Sequence, residues 1–115
     1  VSNSILMLFN TGGSLKLYNG GVGGTNLIYS DSSIDLTQNI KIAIQYGNST
    51  SDYKVFIDGI SKSVSGSFSA TQITALDEIK FEYALNFGLN FFGKVKDLRY
   101  YDTALTVEEL KELTT

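Results

Sequence analysis

Glu78-Ile-Lys-Phe-Glu82 carries the one pair of side chains whose type and spacing fit acid–base chemistry. In an extended strand, positions 78, 80 and 82 share a face, so two carboxylates would flank whatever lies over it. Retaining glycoside hydrolysis uses such a pair, one as nucleophile and one as acid/base. Here Lys80 stands between them. A cation there lowers both carboxyl pKa values, whereas a general acid needs a raised one. The stretch is therefore read as a solvated strand face with a charge ladder, and the chain as no enzyme.

Other groups fit binding better. Tyr83-Ala-Leu-Asn-Phe-Gly-Leu-Asn-Phe91 joins two expected strands and sets amides beside aromatic rings. Sugars are held by ring faces against their C–H patches and by directional hydrogen bonds from Asn, Asp or Gln. Asn86, Phe87 and Asn90 have that chemistry, as do Tyr18, Tyr29 and Tyr46 if their rings reach the surface. Core or edge packing is the competing use of each aromatic residue. Asp31, Asp35, Asp52 and Asp77 could supply hard oxygen ligands for calcium, although no compact acidic loop contains them. Gly20-Gly-Val-Gly-Gly24 lacks the Gly-Lys-Ser/Thr ending of a phosphate loop and is read as a flexible connection. Asn48-Ser-Thr50 matches an N-glycosylation triplet, which matters only in a eukaryotic secretory chain.

Composition narrows the chemistry further. The 115 residues contain no His, Cys, Trp or Pro. Without His there is no Ser-His triad and no imidazole-ligated zinc; without Cys there is no disulfide or thiolate. Net charge is −3 and the nine basic residues are scattered, so no stripe for a phosphate backbone exists and nucleic acid is not an expected partner. No run approaches the ~20 apolar residues that span a bilayer, so no membrane insertion is expected. No secretory leader is visible, and the start at Val1 reads as a piece of something longer. Residues 1–115 are expected to form a single domain.

The elements that must position these groups are mostly strands. Ser4–Phe9, Ser14–Tyr18 and Asn26–Tyr29 are apolar runs separated by glycine-rich turns. Ile40-Lys-Ile-Ala-Ile-Gln-Tyr46 alternates cleanly, with Ile40, Ile42, Ile44 and Tyr46 on one face. Tyr53–Ile57 and Ile60–Val64 flank Asp58-Gly59, whose residue types suit the left-handed backbone of a tight hairpin turn. Glu78–Tyr83 alternates again. Phe92–Tyr100 is expected as a last strand, with a bulge near Lys96-Asp97 because Val95 and Leu98 lie three apart. Thr106-Val-Glu-Glu109 fits a capping box, and Leu105 with Leu110 fits a hydrophobic staple, so a short helix closes the chain. About eight strands without βαβ spacing predict an all-β, antiparallel two-sheet sandwich with one short C-terminal helix.

Three of these stretches together resemble the concanavalin A-like, laminin-G-like jelly-roll superfamily. Ile40–Tyr46 resembles its alternating strand before the hairpin. Tyr53-Lys-Val-Phe-Ile-Asp-Gly59 resembles its Tyr-x-Val-Tyr-Val-Asn-Gly turn, with Asp58 for the usual Asn. Phe92–Leu110 resembles its closing Gly-x-Ile-x-Asp-Val-Arg-Ile-Tyr-Asn-x-Ala-Leu-Ser-x-Glu-Glu-Ile segment. The likeness covers roughly residue 39 to the end. It implies a jelly-roll sandwich that commonly binds carbohydrate or cell surfaces and sometimes holds a structural calcium ion at its rim. Some glycosidases of this fold carry Glu-x-Asp-x-Glu, from which Lys80 departs, leaving a hydrolase remnant as the third reading. The glycine- and serine-rich style without Cys, His or Pro resembles copies in bacteriophage tail fibres and virion adhesins. That implies a virion or extracellular location, a cell-surface glycan or polysaccharide as ligand, and neighbouring fibre subunits, as in a homotrimer. A structural or decoration module of a virion is the alternative.

Overall fold

The computed structural model describes residues 5–10, 13–19, 27–47, 49–65 and 94–115. Two three-stranded antiparallel sheets, one α-helix and one turn of 3-10 helix account for their regular structure. The first sheet is β1 (Ile5–Asn10), β2 (Ser14–Asn19) and β3 (Leu27–Asp31), in that order. The second is β4 (Ile42–Gln45), β5 (Lys54–Ile57) and β6 (Ile60–Lys62), also in chain order. The helix α1 is Val107–Thr114.

One apolar cluster unites the sheets. Leu15, Leu17 and Ile28 come from the first sheet and Tyr53, Val55 and Ile57 from the second, all buried. Period-2 alternation explains this membership, since residues two apart share a strand face. Ile42, Ile44 and Tyr46 pack against the same cluster, as their shared face predicts. Ser65 N–H donates to the Ile28 carbonyl at 2.8 Å, tying the chain after β6 to β3.

β5 is buried on both faces. Val55 and Ile57 belong to the shared cluster, while Phe56 points the other way and is also buried. Ala43 and Ser61 are its cross-strand neighbours. The helix lies against β4, β5 and β6 and buries Leu110. Its start is held as the capping box predicts: Glu109 N–H donates to Thr106 Oγ1 at 3.1 Å, and Thr106 N–H donates to Glu109 Oε2 at 2.8 Å.

The hairpin between β5 and β6 has both turn residues in the left-handed region, Asp58 at φ 49° and Gly59 at φ 80°. Asp58 also ends β4. Its N–H donates to the Lys41 carbonyl, and its Oδ1 accepts the Lys41 N–H, both at 2.9 Å. Lys41 thus spends both backbone groups on the turn, and the ladder begins at Ile42 opposite Ile57.

The expected last strand needs correction within the described residues. Lys94–Tyr100 forms no strand and is exposed throughout. Val95 and Leu98, three apart, cannot both face one core from a period-2 strand, and they are 49% and 56% exposed. The expected strand Glu78–Tyr83 lies outside the described residues, as does Phe92.

A buried polar contact joins the sheets as well. Asn19 Nδ2, at the end of β2, donates to Tyr53 Oη just before β5. Burial pushes the Tyr53 hydroxyl above its ordinary pKa, while the Asn19 contact and the Gly47 N–H pull it back. Tyr53→Phe keeps the ring and removes that acceptor from a fully buried Asn19. We expect a loss of about 1–3 kcal/mol in stability by chemical denaturation, and a loss below about 0.5 kcal/mol would count against the contact.

Candidate functional site

Each sequence-derived candidate has a definite place or lies outside the described residues. Asn86, Phe87, Asn90 and Asp77 are outside them, as are Glu78, Lys80 and Glu82. Tyr18 is 6% exposed, so its ring is not offered to a ligand. Tyr29 packs against the shared core, and its hydroxyl donates to Asp31 Oδ2 at 2.8 Å. Burial first, then the Asp31 hydrogen bond and charge, push the Tyr29 pKa up to about 12. Its ring packs on the core and stays partly exposed.

The aspartates are spent locally. Asp31 Oδ1 accepts the Ser33 N–H at 2.9 Å and the Ser33 hydroxyl at 2.8 Å, which hold its carboxyl below the usual range. Asp35 Oδ1 accepts the Thr37 hydroxyl at 2.5 Å and the Thr37 N–H at 3.0 Å, with the same effect. Asp52 Oδ2 accepts the Ser49 N–H and hydroxyl, both at 3.1 Å, closing one turn of 3-10 helix at Thr50–Asp52. Such side-chain-to-backbone bonds shape turns. Among the described residues, no three acidic groups come together. Asp31, Asp35 and Asp52 are thus each engaged in their own local turn.

Tyr46 leads to a different surface. Its ring packs against the core, but its hydroxyl reaches Tyr100 Oη at 2.6 Å. That hydrogen bond, then burial, pushes its pKa up to about 12. Tyr100 and Tyr101 are 58% and 44% exposed. Beside them Arg99 Nη2 lies 2.9 Å from Asp97 Oδ2, and Arg99 Nε donates to the same oxygen at 3.1 Å. Hydrogen bonds to Tyr101 and then Asp97 hold the guanidinium still more firmly charged than usual. Asp97, Arg99 and Tyr101 thus interact at steps of two.

This surface offers exposed phenol rings, a carboxylate with a second oxygen, and a guanidinium. A hydroxyl-rich, partly apolar ligand needs those groups: ring faces for C–H patches, charged donors and acceptors for hydroxyls. Tyr100, Tyr101, Arg99 and Asp97 are not among the sequence-derived ligand groups, since Phe92–Tyr100 is expected there as a bulged last strand. A usable signal was present. Lys94, Lys96, Asp97, Arg99 and Asp102 put five charges into nine residues. Charged side chains are seldom buried unless paired, so that density argues for solvent.

Comparison with known proteins found no matching family model, no matching curated protein and no matching solved structure.

Proposed function

We propose that the chain is a non-catalytic jelly-roll module of the concanavalin A-like kind, binding cell-surface glycan or a similar polymer. Support comes from the family-like stretches at 40–46, 53–59 and 92–110 and from two antiparallel sheets that share a core beside a capped terminal helix. The observation that carries the binding role is the exposed Tyr100–Tyr101 pair beside Asp97 and Arg99, anchored to the core through Tyr46. A shallow site of this kind gains little buried apolar area, so single-site affinity is weak. Repeated copies, as in a trimeric fibre on a virion or cell surface, compensate through avidity.

One observation favours a second reading. Val95 and Leu98 are exposed on the same segment, as an assembly or decoration surface between virion subunits would have them.

A glycan array probed with the 115-residue chain tests the first reading. For the best-bound glycan, Tyr100→Ala and Tyr101→Ala should each weaken binding about tenfold; thermal unfolding should be nearly unchanged in Tyr101→Ala and slightly lowered in Tyr100→Ala, which also loses the bond to Tyr46. Asn86→Ala and Asn90→Ala, in parallel, report on the loop singled out from the sequence. Wild-type binding in both tyrosine variants removes this surface from the role. No binding on any array, together with self-association lost in Leu98→Asp, would favour assembly instead.

A further inference from the structure

The Asp58–Gly59 turn carries the chemistry for a spontaneous backbone rearrangement. The Gly59 nitrogen can attack Asp58 Cγ, since glycine has no side chain to hinder the approach. An N–Cγ bond forms and a Cγ–O bond breaks. One carboxyl oxygen leaves as water with the carboxyl proton and the amide hydrogen. Addition of water to the resulting succinimide regenerates aspartate or yields isoaspartate, with the chain now running through Cγ. The net change in mass is zero.

Both reacting groups are restrained here. Asp58 Oδ1 accepts the Lys41 N–H at 2.9 Å, which holds the electrophile toward the start of β4. The Gly59 N–H donates to Thr114 Oγ1 at 3.1 Å, which holds the nucleophile toward the last turn of α1. Thr114 is itself buried, and its hydroxyl donates back to the helix at Leu110 O or Lys111 O, 3.0 and 3.2 Å away. Lys41 Nζ further donates to the Thr115 carbonyl at 2.8 Å, so the helix end and the hairpin are fastened together. Asp58 is exposed, so solvent reaches its carboxyl.

We propose that Asp58–Gly59 is a latent succinimide and isoaspartate site, kept unreacted by the docked end of α1. Loss of that docking frees the Gly59 amide. The isoaspartyl product adds a backbone carbon to a turn that sets the register of β5 on β6, so the change opposes return of the helix. This property is independent of any glycan ligand.

The experiment follows isoaspartate at position 58 during prolonged incubation near neutral pH, by peptide mapping with a protease that cleaves at aspartate but not at isoaspartate. The native chain should form it more slowly than the guanidinium-unfolded chain. Thr114→Val, which deletes the acceptor, should react about fivefold faster than wild type, the rate equivalent of one ordinary hydrogen bond. Thr114→Ser, which keeps the hydroxyl, should match wild type. Equal rates in native and unfolded chains, or a folded Thr114→Val at the wild-type rate, would overturn the proposal. Should Thr114→Val not fold, hydrogen exchange of the wild-type Gly59 amide decides: slow exchange supports protection, and exchange at the free-peptide rate overturns it.

Discussion

Leu17→Ala is expected to destabilise the protein by about 2–5 kcal/mol, in the range for a buried leucine truncated in a core that relaxes only partly. Leu17 is 0% exposed and sits on the central strand of its sheet. Its cross-strand neighbours are Met7 and Tyr29, and all three belong to or pack on the cluster shared with Tyr53, Val55 and Ile57. The site has little freedom to collapse, because β2 is bonded on both sides and the far wall is the other sheet. For a domain of this size the melting temperature should fall on the order of 10–20 °C. Guanidinium unfolding should show a lower midpoint at unchanged slope. A loss under about 1 kcal/mol would mean that the two sheets do not share this core.

Gly13→Ala is the second large effect, about 2–3 kcal/mol, from two additive sources. Gly13 has φ 83°, a backbone conformation that costs an L side chain roughly 1–2 kcal/mol. A Cβ there would also lie 2.8 Å from the Ile34 carbonyl oxygen. That oxygen is backbone, and the Gly13 carbonyl accepts the Ile34 N–H at 3.0 Å, so the neighbour cannot swing aside. Gly13→Asn separates the sources, because asparagine tolerates left-handed backbone yet still carries the colliding Cβ. The asparagine variant should remain clearly destabilised by denaturant melt. Full recovery would leave conformation alone as the reason for glycine.

What was legible in the chain, and what was not, follows from how far each signal travels. The turn at Asp58–Gly59 and the cap at Thr106–Glu109 are set by residues at most three apart, and both stand as the residue types predict. The inward face of β4 was readable for the same reason. Tyr53 and Asn19 are 34 residues apart, and Tyr46 and Tyr100 are 54 apart. No local pattern announces such pairs, because a tyrosine's surroundings depend on which distant strand lies beneath it. Lys94–Tyr100 shows the opposing case. The apolar residues of Phe92–Tyr100 suggest a bulged strand, whereas the interleaved charges keep the described part, Lys94–Tyr100, in solvent. Aromatic residues do not declare whether a ring is core or contact surface, and so the candidate site was the least readable part.

The double burial of β5 has a consequence for how that strand knows its own orientation. A ribbon greasy on one side only would expose its greasy face if slid by a single residue, so water itself would correct the mistake. Tyr53 to Ile57 enjoys little such proofreading, since Val55, Phe56 and Ile57 are all hidden from water. Alignment must then be dictated from its two ends. At one end the phenol of Tyr53 meets Asn19, and at the other a pair of left-handed residues folds the chain back.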